Sequence, residues 1–293
     1  MKKKLLLFFL LGCLLYNHGN AQSPGTESPA LKPNPEAGNT ATKKGVFFIS
    51  PYYELTQFKN LELVEHTNYH SMVEGEFQDV YVQADLDEYN DHYGTEYQSG
   101  MSGLKVGYQV LNGLGISAYA GLTHFNFKSW VSDENTQYIS TQYPALTFGV
   151  AVDYEKTVYK KLIFLTALTY NYCVTGTPVA NINTSEKVLS SDLNSMFWEL
   201  DLAMAYPVGR FLPFAGAGFT QQSVHSIYKV SIRTTDLEGN DFYNTTEFDS
   251  RFRGASFYGF AGIEYRLIKG VSMYLKSSFP NPLRSNMGFR IVL

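Results

Sequence analysis

The residues whose type and spacing could do chemistry are concentrated in one acidic segment. Residues 62–96 contain ten Asp and Glu residues and no Lys or Arg. Within it, Asp85, Asp87 and Asp91, with Glu88 among them, bring carboxylates together as a calcium-binding loop does. The glycine and the terminal glutamate of an EF-hand are not at the required positions. We therefore keep these residues only as metal candidates, expect no cofactor, and prefer a solvated loop that attracts cations through its negative field.

Nucleophilic catalysis is the second chemistry that the residue types allow. Ser223 and Ser226 flank His225, but neighbouring residues in an extended segment point to opposite faces, so a serine next to His225 cannot meet its ring. Cys173 has no evident histidine partner and is better explained as a packing residue. We expect that the protein is not an enzyme and keep a hydrolase as an alternative.

The elements that must position these residues are long strands, because apolar and polar residues alternate with period two over most of the chain. Leu146, Phe148, Val150, Val152 and Tyr154 form one such series. Several runs are longer than the strands of about 5–6 residues that are usual in soluble proteins. The predicted strands are 46–58, 99–110, 114–128, 141–155, 161–174, 194–207, 211–224, 254–267, 270–279 and 285–293.

The connections between these strands alternate in length. Every second connection is a short turn, whereas three of the others, 59–98, 175–193 and 225–253, are long. Short turns on one rim and long loops on the other are typical of transmembrane antiparallel β-barrels. The fold class predicted for residues 45–293 is therefore an all-β, up-and-down transmembrane barrel of about ten strands, with eight to twelve allowed.

Composition agrees with this prediction and excludes other classes. Charged residues make up 17% and aromatic residues 15%, against a charged share of about 25% in ordinary soluble domains. The net charge of −4 gives no basic footprint for nucleic acid. A soluble β-sandwich remains the structural alternative, because its strands also alternate.

The N-terminal residues predict export. Lys2 to Lys4 precede an apolar run, Leu5 to Tyr16, that is too short to span a bilayer, and small residues follow it as in a signal peptide. Residues 1–21 are thus predicted to be a signal peptide, with a lipoprotein signal ending at Cys13 as the alternative. Residues 22–44, rich in Pro, Ser and Thr, are predicted to be a flexible periplasmic linker.

The last strand resembles the C-terminal signature of bacterial outer-membrane barrels. Asn286, Gly288, Ile291 and Leu293 fit its pattern of a polar residue, a glycine two later, and apolar residues third from last and last. Leu212–Phe219 is likewise similar to a strand of small OmpA- and porin-like barrels of Gram-negative bacteria. The resemblance implies an outer-membrane location, contact with lipid, and recognition of the C-terminal strand by the barrel-assembly machinery.

In such a barrel, the inward phase of each strand would carry charges. The residues predicted to face the lumen are Glu54, Lys105, Asp153, Glu199, Asp201, Glu264, Lys276 and Arg290. Buried charges must pair or meet water. The lumen would thus be either plugged by ion pairs or a narrow water-filled passage that prefers cations. Bulky inward residues favour the plugged form.

These observations leave several functions open. The preferred hypothesis is a structural or surface-binding outer-membrane barrel whose long acidic loops engage a protein partner. A narrow cation-preferring pore for small solutes is the main alternative. An outer-membrane hydrolase and a component of an envelope secretion or assembly machine are further alternatives.

Overall fold

The computed structural model describes residues 45–71, 77–78, 95–130, 136–140, 143–174, 179–182, 187–235 and 241–293. These residues form β-strands and turns. None of the described segments is a helix of the length and apolar character needed to traverse a bilayer. The predicted signal peptide and linker lie outside the described residues.

Fourteen strands are present in the described part of the chain. In order they are β1 (Phe47–Lys59), β2 (Glu62–Ser71), β3 (Phe77–Gln78), β4 (Glu96–Leu111), β5 (Leu114–Trp130), β6 (Thr136–Ser140), β7 (Ala145–Tyr159), β8 (Leu162–Val174), β9 (Val179–Ile182), β10 (Lys187–Ala205), β11 (Phe211–Thr235), β12 (Asp241–Ile268), β13 (Val271–Phe279) and β14 (Leu283–Val292).

Ten of these strands close into an antiparallel barrel, which confirms the predicted fold class. The ring runs β1–β4–β5–β7–β8–β10–β11–β12–β13–β14, and β14 returns to β1. The closing ladder pairs Phe48 with Val292 at one end and Gln57 with Leu283 at the other. The first and last strands of the barrel are therefore neighbours, and the ring has no free edge.

The short-turn rim holds the connections β4–β5, β7–β8, β10–β11 and β12–β13 together with both ends of the barrel. Gly113 shows why one of these turns needs glycine: its φ is +80°, and a Cβ there would lie 2.2 Å from the carbonyl oxygen of Glu155. The amide of Glu155 donates instead to the Gly113 carbonyl at 2.7 Å. A side chain at this turn would break that contact.

We call the opposite rim the long-loop rim. At this rim, the strands extend beyond their predicted bounds. The segments predicted as the long loops 59–98, 175–193 and 225–253 contain strand, as does the shorter loop predicted at 129–140. The largest change is the β11–β12 hairpin, whose ladder continues without interruption from Phe211–Tyr265 to Thr235–Asp241. The predicted strands end where the apolar residues of the outward face give way to polar ones, but backbone pairing continues through the polar residues.

The strand β2, which is not part of the ring, extends the barrel wall above the short β13–β14 hairpin. Above this hairpin, β2 pairs with β12 through Glu62–Ser71 and Thr245–Arg253. Asn281 joins the two levels, because its side chain accepts from the Lys59 amide at 3.2 Å and donates to the Lys59 carbonyl at 3.0 Å. The hydroxyl of Ser256 in β12 donates to the Asn281 carbonyl.

The outward faces of the ring form an apolar belt, which in β10 extends from Met196 to Met204. In β10 the belt includes Trp198, Leu200 and Leu202, all well exposed. Strands of about 9–11 residues are sufficient to cross a bilayer when tilted. In an aqueous medium such a continuous apolar surface would be unfavourable, so the belt is a surface for acyl chains.

Aromatic contacts mark both edges of the belt. Near the short-turn rim, the rings of Phe211 and Tyr265 lie 4.7 Å apart. At the other edge, Phe219 contacts both Trp198 at 5.1 Å and Phe257 at 4.9 Å, and Phe257 is 79% exposed. Aromatic girdles of this kind occupy the headgroup levels of membrane barrels.

Candidate functional site

The interior of the barrel contains an ion network that crosses the lumen. Glu199 and Asp201 enter from β10, and Lys276 and Arg284 enter from β13 and β14. Lys276 Nζ lies 2.6 Å from Asp201 Oδ2 and 3.4 Å from Glu199 Oε1. Arg284 Nη1 donates to Glu199 Oε2, and Tyr258 donates its hydroxyl to Asp201 Oδ1 at 2.7 Å.

The alternation of side-chain direction along a strand explains why these groups all point into the lumen. Residues two apart share one face of a strand, so Glu199 and Asp201 both point inward. Trp198, which precedes them, and Leu200, which lies between them, face outward. Glu54 of β1 also reaches this level, where Asn286 Nδ2 donates to its Oε2 at 3.3 Å. We call Glu54, Glu199, Asp201, Lys276 and Arg284 the central ion network.

A second group of charges lies nearer the short-turn rim. Lys105 is buried and lies 3.6 Å from the half-buried Asp153. Arg290 stacks on the ring of Phe48, with its guanidinium carbon 4.2 Å from the ring centroid. Glu264 is buried as well. Cation–π contact in a desolvated site contributes to holding such groups inside the barrel.

The structure places seven of the eight sequence-selected lumen charges in buried positions and Asp153 in a half-buried one. Arg284, which joins Glu199, was missed because the predicted strand began at residue 285. Its signal was available, since it shares the inward phase of Asn286, Gly288 and Arg290. Glu155, which follows Asp153 in the inward phase of β7, is also buried.

A layer of buried apolar residues lies inside the barrel on the long-loop side of the central ion network. We call this layer the apolar plug. It consists of the buried residues Phe58, Leu61, Leu63, Tyr97, Phe125, Phe127, Ala145, Cys173, Leu193, Val224 and Phe252. Leu193 and Val224 have no exposed surface, and the rings of Phe127 and Phe252 meet edge to face at 4.9 Å.

A small cavity lies between the plug and the network. It offers about 20 Å³ to the centre of a water-sized particle, which is room for one or two waters. Its lining includes Glu54, Arg284, Asn171, Gln222 and the Thr123–Thr147 hydroxyl pair. Asn171 is 1% exposed, and neither of its side-chain polar atoms has a hydrogen-bond partner among the described residues.

Among the described residues, the hydrogen-bond partner of His225 is Asp249 and not Ser223 or Ser226. Asp85, Asp87 and Asp91 lie outside the described residues, and the rest holds no cluster of three or more metal-binding His, Cys, Asp or Glu. His225 lies half-buried on the outward face of β11, with Nε2 2.7 Å from Asp249 Oδ1, whereas Ser226 is buried on the inward face.

The C-terminal strand presents its two faces to different environments. Asn286 and Gly288 are buried, whereas Ile291 and Leu293 lie on the exposed face. The hydroxyl of Tyr274 would lie 2.5 Å from a Cβ at position 288, so glycine makes room for this ring. The strand is thus a full member of the ring, paired with β1 on one side and with β13 on the other.

One carboxylate beyond the belt has a displaced pKa. Glu96 begins β4 on the long-loop side of the belt, and Gln98 Nε2 donates to its Oε1 at 2.9 Å, as Gln57 Nε2 also does. Burial alone would raise the pKa of Glu96, but these hydrogen bonds and the charges of Lys59 and Lys128 lower the pKa below its ordinary value.

Comparison with solved structures returned outer-membrane proteins. The chain is similar to the outer membrane protein OprG from Pseudomonas aeruginosa, at 12% identity and TM-score 0.35, over 86% of this chain and 98% of that one. It is similar to the translocator domain of the autotransporter NalP from Neisseria meningitidis, at 6% identity and TM-score 0.38, over 85% and 89%. The Ralstonia pickettii toluene transporter TbuX matches at 8% identity and TM-score 0.31, over 86% and 91%. No protein-family model and no curated protein sequence matches the chain.

The architecture itself settles the class of protein. A bilayer core admits only helices and closed barrels, because every backbone polar group must be paired within the protein. An even-stranded antiparallel ring with an apolar belt and aromatic edges is the form that barrels take in the bacterial outer membrane. The chain is an outer-membrane β-barrel protein, as the sequence predicted.

Proposed function

We propose that the protein is a non-conducting outer-membrane barrel that binds a cationic protein partner through the strands and acidic segment beyond its long-loop rim. The observation that carries this proposal is the contrast between the interior and the rim. The lumen is filled at two levels, by the central ion network and by the apolar plug. The wall, in contrast, continues far beyond the belt.

The projecting wall is large enough to serve as a binding surface. In β11, the apolar belt ends near Phe219, and the strand continues to Thr235. At a rise of about 3.3 Å per residue, that length of strand extends roughly 50 Å along its own direction. We call the described surface formed by β2 and the projecting parts of β11 and β12 the outer platform.

Cross-strand polar contacts on the outer platform support a preformed rather than a flexible surface. Arg251 of β12 lies 3.0 Å from Glu65 of β2, and Lys229 of β11 lies 3.6 Å from Glu247 of β12. Each exposed pair contributes little to stability. Together with the continuous β11–β12 ladder, they fix where the charges of the platform lie.

The charge of the adjoining segment favours a cationic partner. Residues 62–96 carry ten carboxylates and no Lys or Arg, and such a field accelerates association with positively charged surfaces. Electrostatic attraction between exposed charges weakens as ionic strength rises. Binding of the partner should therefore be salt-sensitive.

The proposal is tested with the full-length barrel in phosphatidylcholine vesicles and an oligolysine peptide as the probe. The variant that replaces Asp85, Asp87, Glu88 and Asp91 by their amides should bind the peptide at least about tenfold more weakly, because each lost charge removes part of the attraction. Deleting all of 62–96 is less informative, since β2 forms part of the wall.

A matched control neutralises cations on the opposite rim. Replacing Lys156, Lys160 and Lys161 by Gln removes three positive charges at the short-turn rim, whereas the amide variant removes four negative charges. The loss of positive charge should not weaken binding of a cationic peptide. Unchanged binding by the amide variant, or binding that is insensitive to salt, would contradict the proposal. Crosslinking in intact envelopes can then identify the natural partner and would reveal a larger envelope complex.

A narrow cation-preferring pore is the second candidate, and one observation favours it. The buried and half-buried interior carboxylates outnumber the interior cations: Glu54, Asp153, Glu155, Glu199, Asp201 and Glu264 face Lys105, Lys276, Arg284 and Arg290. A lumen with this surplus would admit cations over anions if water filled it. Planar-bilayer recordings distinguish the candidates, since cation-selective current through the folded wild-type barrel would replace the binding proposal.

A further inference from the structure

The cavity between the apolar plug and the central ion network is lined by oxygen-bearing side chains, among them Glu54, Asn171 and the Thr123–Thr147 pair. We propose that it binds one alkali metal cation, of the sodium or potassium class, through the carboxylate of Glu54 and the side-chain amide oxygen of Asn171. Both residues line the cavity and both are almost completely buried. This inference is independent of the proposed surface-binding function.

The charge balance of the central ion network favours a bound cation. The central ion network contains three carboxylates, from Glu54, Glu199 and Asp201, and two cations, from Lys276 and Arg284. Glu199 and Asp201 each contact one or both cations directly. Glu54 receives a hydrogen bond from the neutral amide of Asn286, so the network is one positive charge short when Glu54 is ionised. A buried surplus charge is strongly unfavourable unless it is neutralised.

The polar groups of the cavity wall also favour a bound ion. Both side-chain polar atoms of Asn171, and Nε2 of Gln222, have no hydrogen-bond partner within the described structure, although the two residues are only 1% and 2% exposed. Buried polar groups in native proteins nearly always have a partner. An ion with one accompanying water would supply partners for an amide oxygen and an amide nitrogen at the same time.

Size and ligand type select a monovalent ion. About 20 Å³ of space accommodates an ion or water but not a bulky organic cation. Carboxylate, amide and hydroxyl oxygens are ligands for hard cations, and the Thr123–Thr147 pair adds two hydroxyls. A divalent ion would reverse the imbalance, and the described residues lack a group of three or more His, Cys, Asp or Glu that could hold one.

Thermal unfolding of the full-length barrel in a zwitterionic detergent tests the site. Strand content is followed by circular dichroism in sodium, potassium or N-methylglucamine chloride at equal ionic strength. We expect the unfolding midpoint to rise by about 2–4 °C in the alkali salts, with saturation, because a ligand that binds only the folded state stabilises it. Glu54→Gln and Asn171→Leu should each remove this dependence on the cation.

Two controls keep the test decisive. Glu247→Gln removes a surface carboxylate paired with Lys229 and should leave the cation dependence unchanged, which excludes a general surface effect. If Glu54→Gln does not fold, Asn171→Leu and the broadening of the ²³Na resonance by wild-type protein still decide the matter. A wild-type midpoint that is the same in all three salts would overturn the proposal. So would an infrared band of a protonated carboxyl group that disappears in Glu54→Gln, because a proton would then balance the charge.

Discussion

Arg284 of β14 and Glu199 of β10 form an ion pair across the lumen, and both side chains are almost fully buried. The strands that carry them are not neighbours in the ring, so this contact ties opposite walls together. Arg284 also lies over the rings of Phe197 and Tyr258, at 5.5 Å and 5.4 Å from their centroids. The pair thus belongs to a buried set of contacts that crosses the barrel.

Replacing one member of this pair should be strongly destabilising. Arg284→Met removes one of the two cations that Glu199 contacts, and breaking a buried ion pair costs about 3–5 kcal/mol. Urea unfolding of the barrel in vesicles measures the change in the free energy of unfolding. The double variant Glu199→Gln/Arg284→Met should recover part of the lost free energy of unfolding, because both charges of the pair are then absent. Equal stability of Arg284→Met and wild type would show that water solvates the carboxylate.

The apolar plug leads to a prediction about conductance. Leu193→Ala and Phe127→Ala each remove buried apolar atoms from the layer that closes the lumen, at a cost of about 2–5 kcal/mol. The double variant should give brief conductance steps in planar bilayers, whereas the wild-type barrel should give none. Phe257→Ala, which truncates an exposed belt residue, is the control and should stay silent. Silence of the double variant would mean that the central ion network is sufficient to close the lumen.

Much of the ring was predictable because period two and turn spacing are properties of short sequence windows. The inward phase that contains Glu199 and Asp201 follows directly from alternation. Their partners do not follow, since Lys276 and Arg284 come from strands on the far side of the ring. Which inward residues meet is decided by strand tilt and register, and no local pattern in the sequence encodes them.

The apolar plug and the outer platform were missed for a related reason. Leu193, Val224 and Phe252 lie in segments predicted as loops or at their borders, because the outward residues there are polar. A strand above the bilayer reverses the expected pattern, with apolar residues inside and polar residues outside. Strand ends predicted on the assumption of lipid at the outer face therefore come too early in the sequence.

Protonation of Glu96 should loosen the long-loop end of β4. Its pKa lies below the ordinary value in the folded barrel, so its contribution to stability is complete above the unfolded-state pKa of about 4.3 and is lost as pH falls through the lower folded-state value. Wild-type stability should thus decline below about pH 4.3 more than that of Glu96→Gln. Because the group is partly exposed, the difference should be modest and should shrink in high salt. Parallel pH profiles of the two proteins would contradict this assignment.

Gly149 should resist any substitution because the ring of Tyr119 occupies the place of its side chain. A Cβ at position 149 would lie 1.9 Å from the ring carbon Cζ of Tyr119, whose hydroxyl donates to the Tyr170 carbonyl at 3.0 Å. Gly149→Ala must therefore displace a buried ring, and we expect a loss of about 1–3 kcal/mol in urea unfolding. Gly209→Ala tests a glycine with open space around it, where only backbone strain at positive φ applies.

The compensating variant Gly149→Ala/Tyr119→Leu should be more stable than expected from the two single changes, since the smaller side chain makes room for the new methyl group. Strict additivity of the two changes would show that the ring already has a second position available, and the packing argument for glycine at this site would fail.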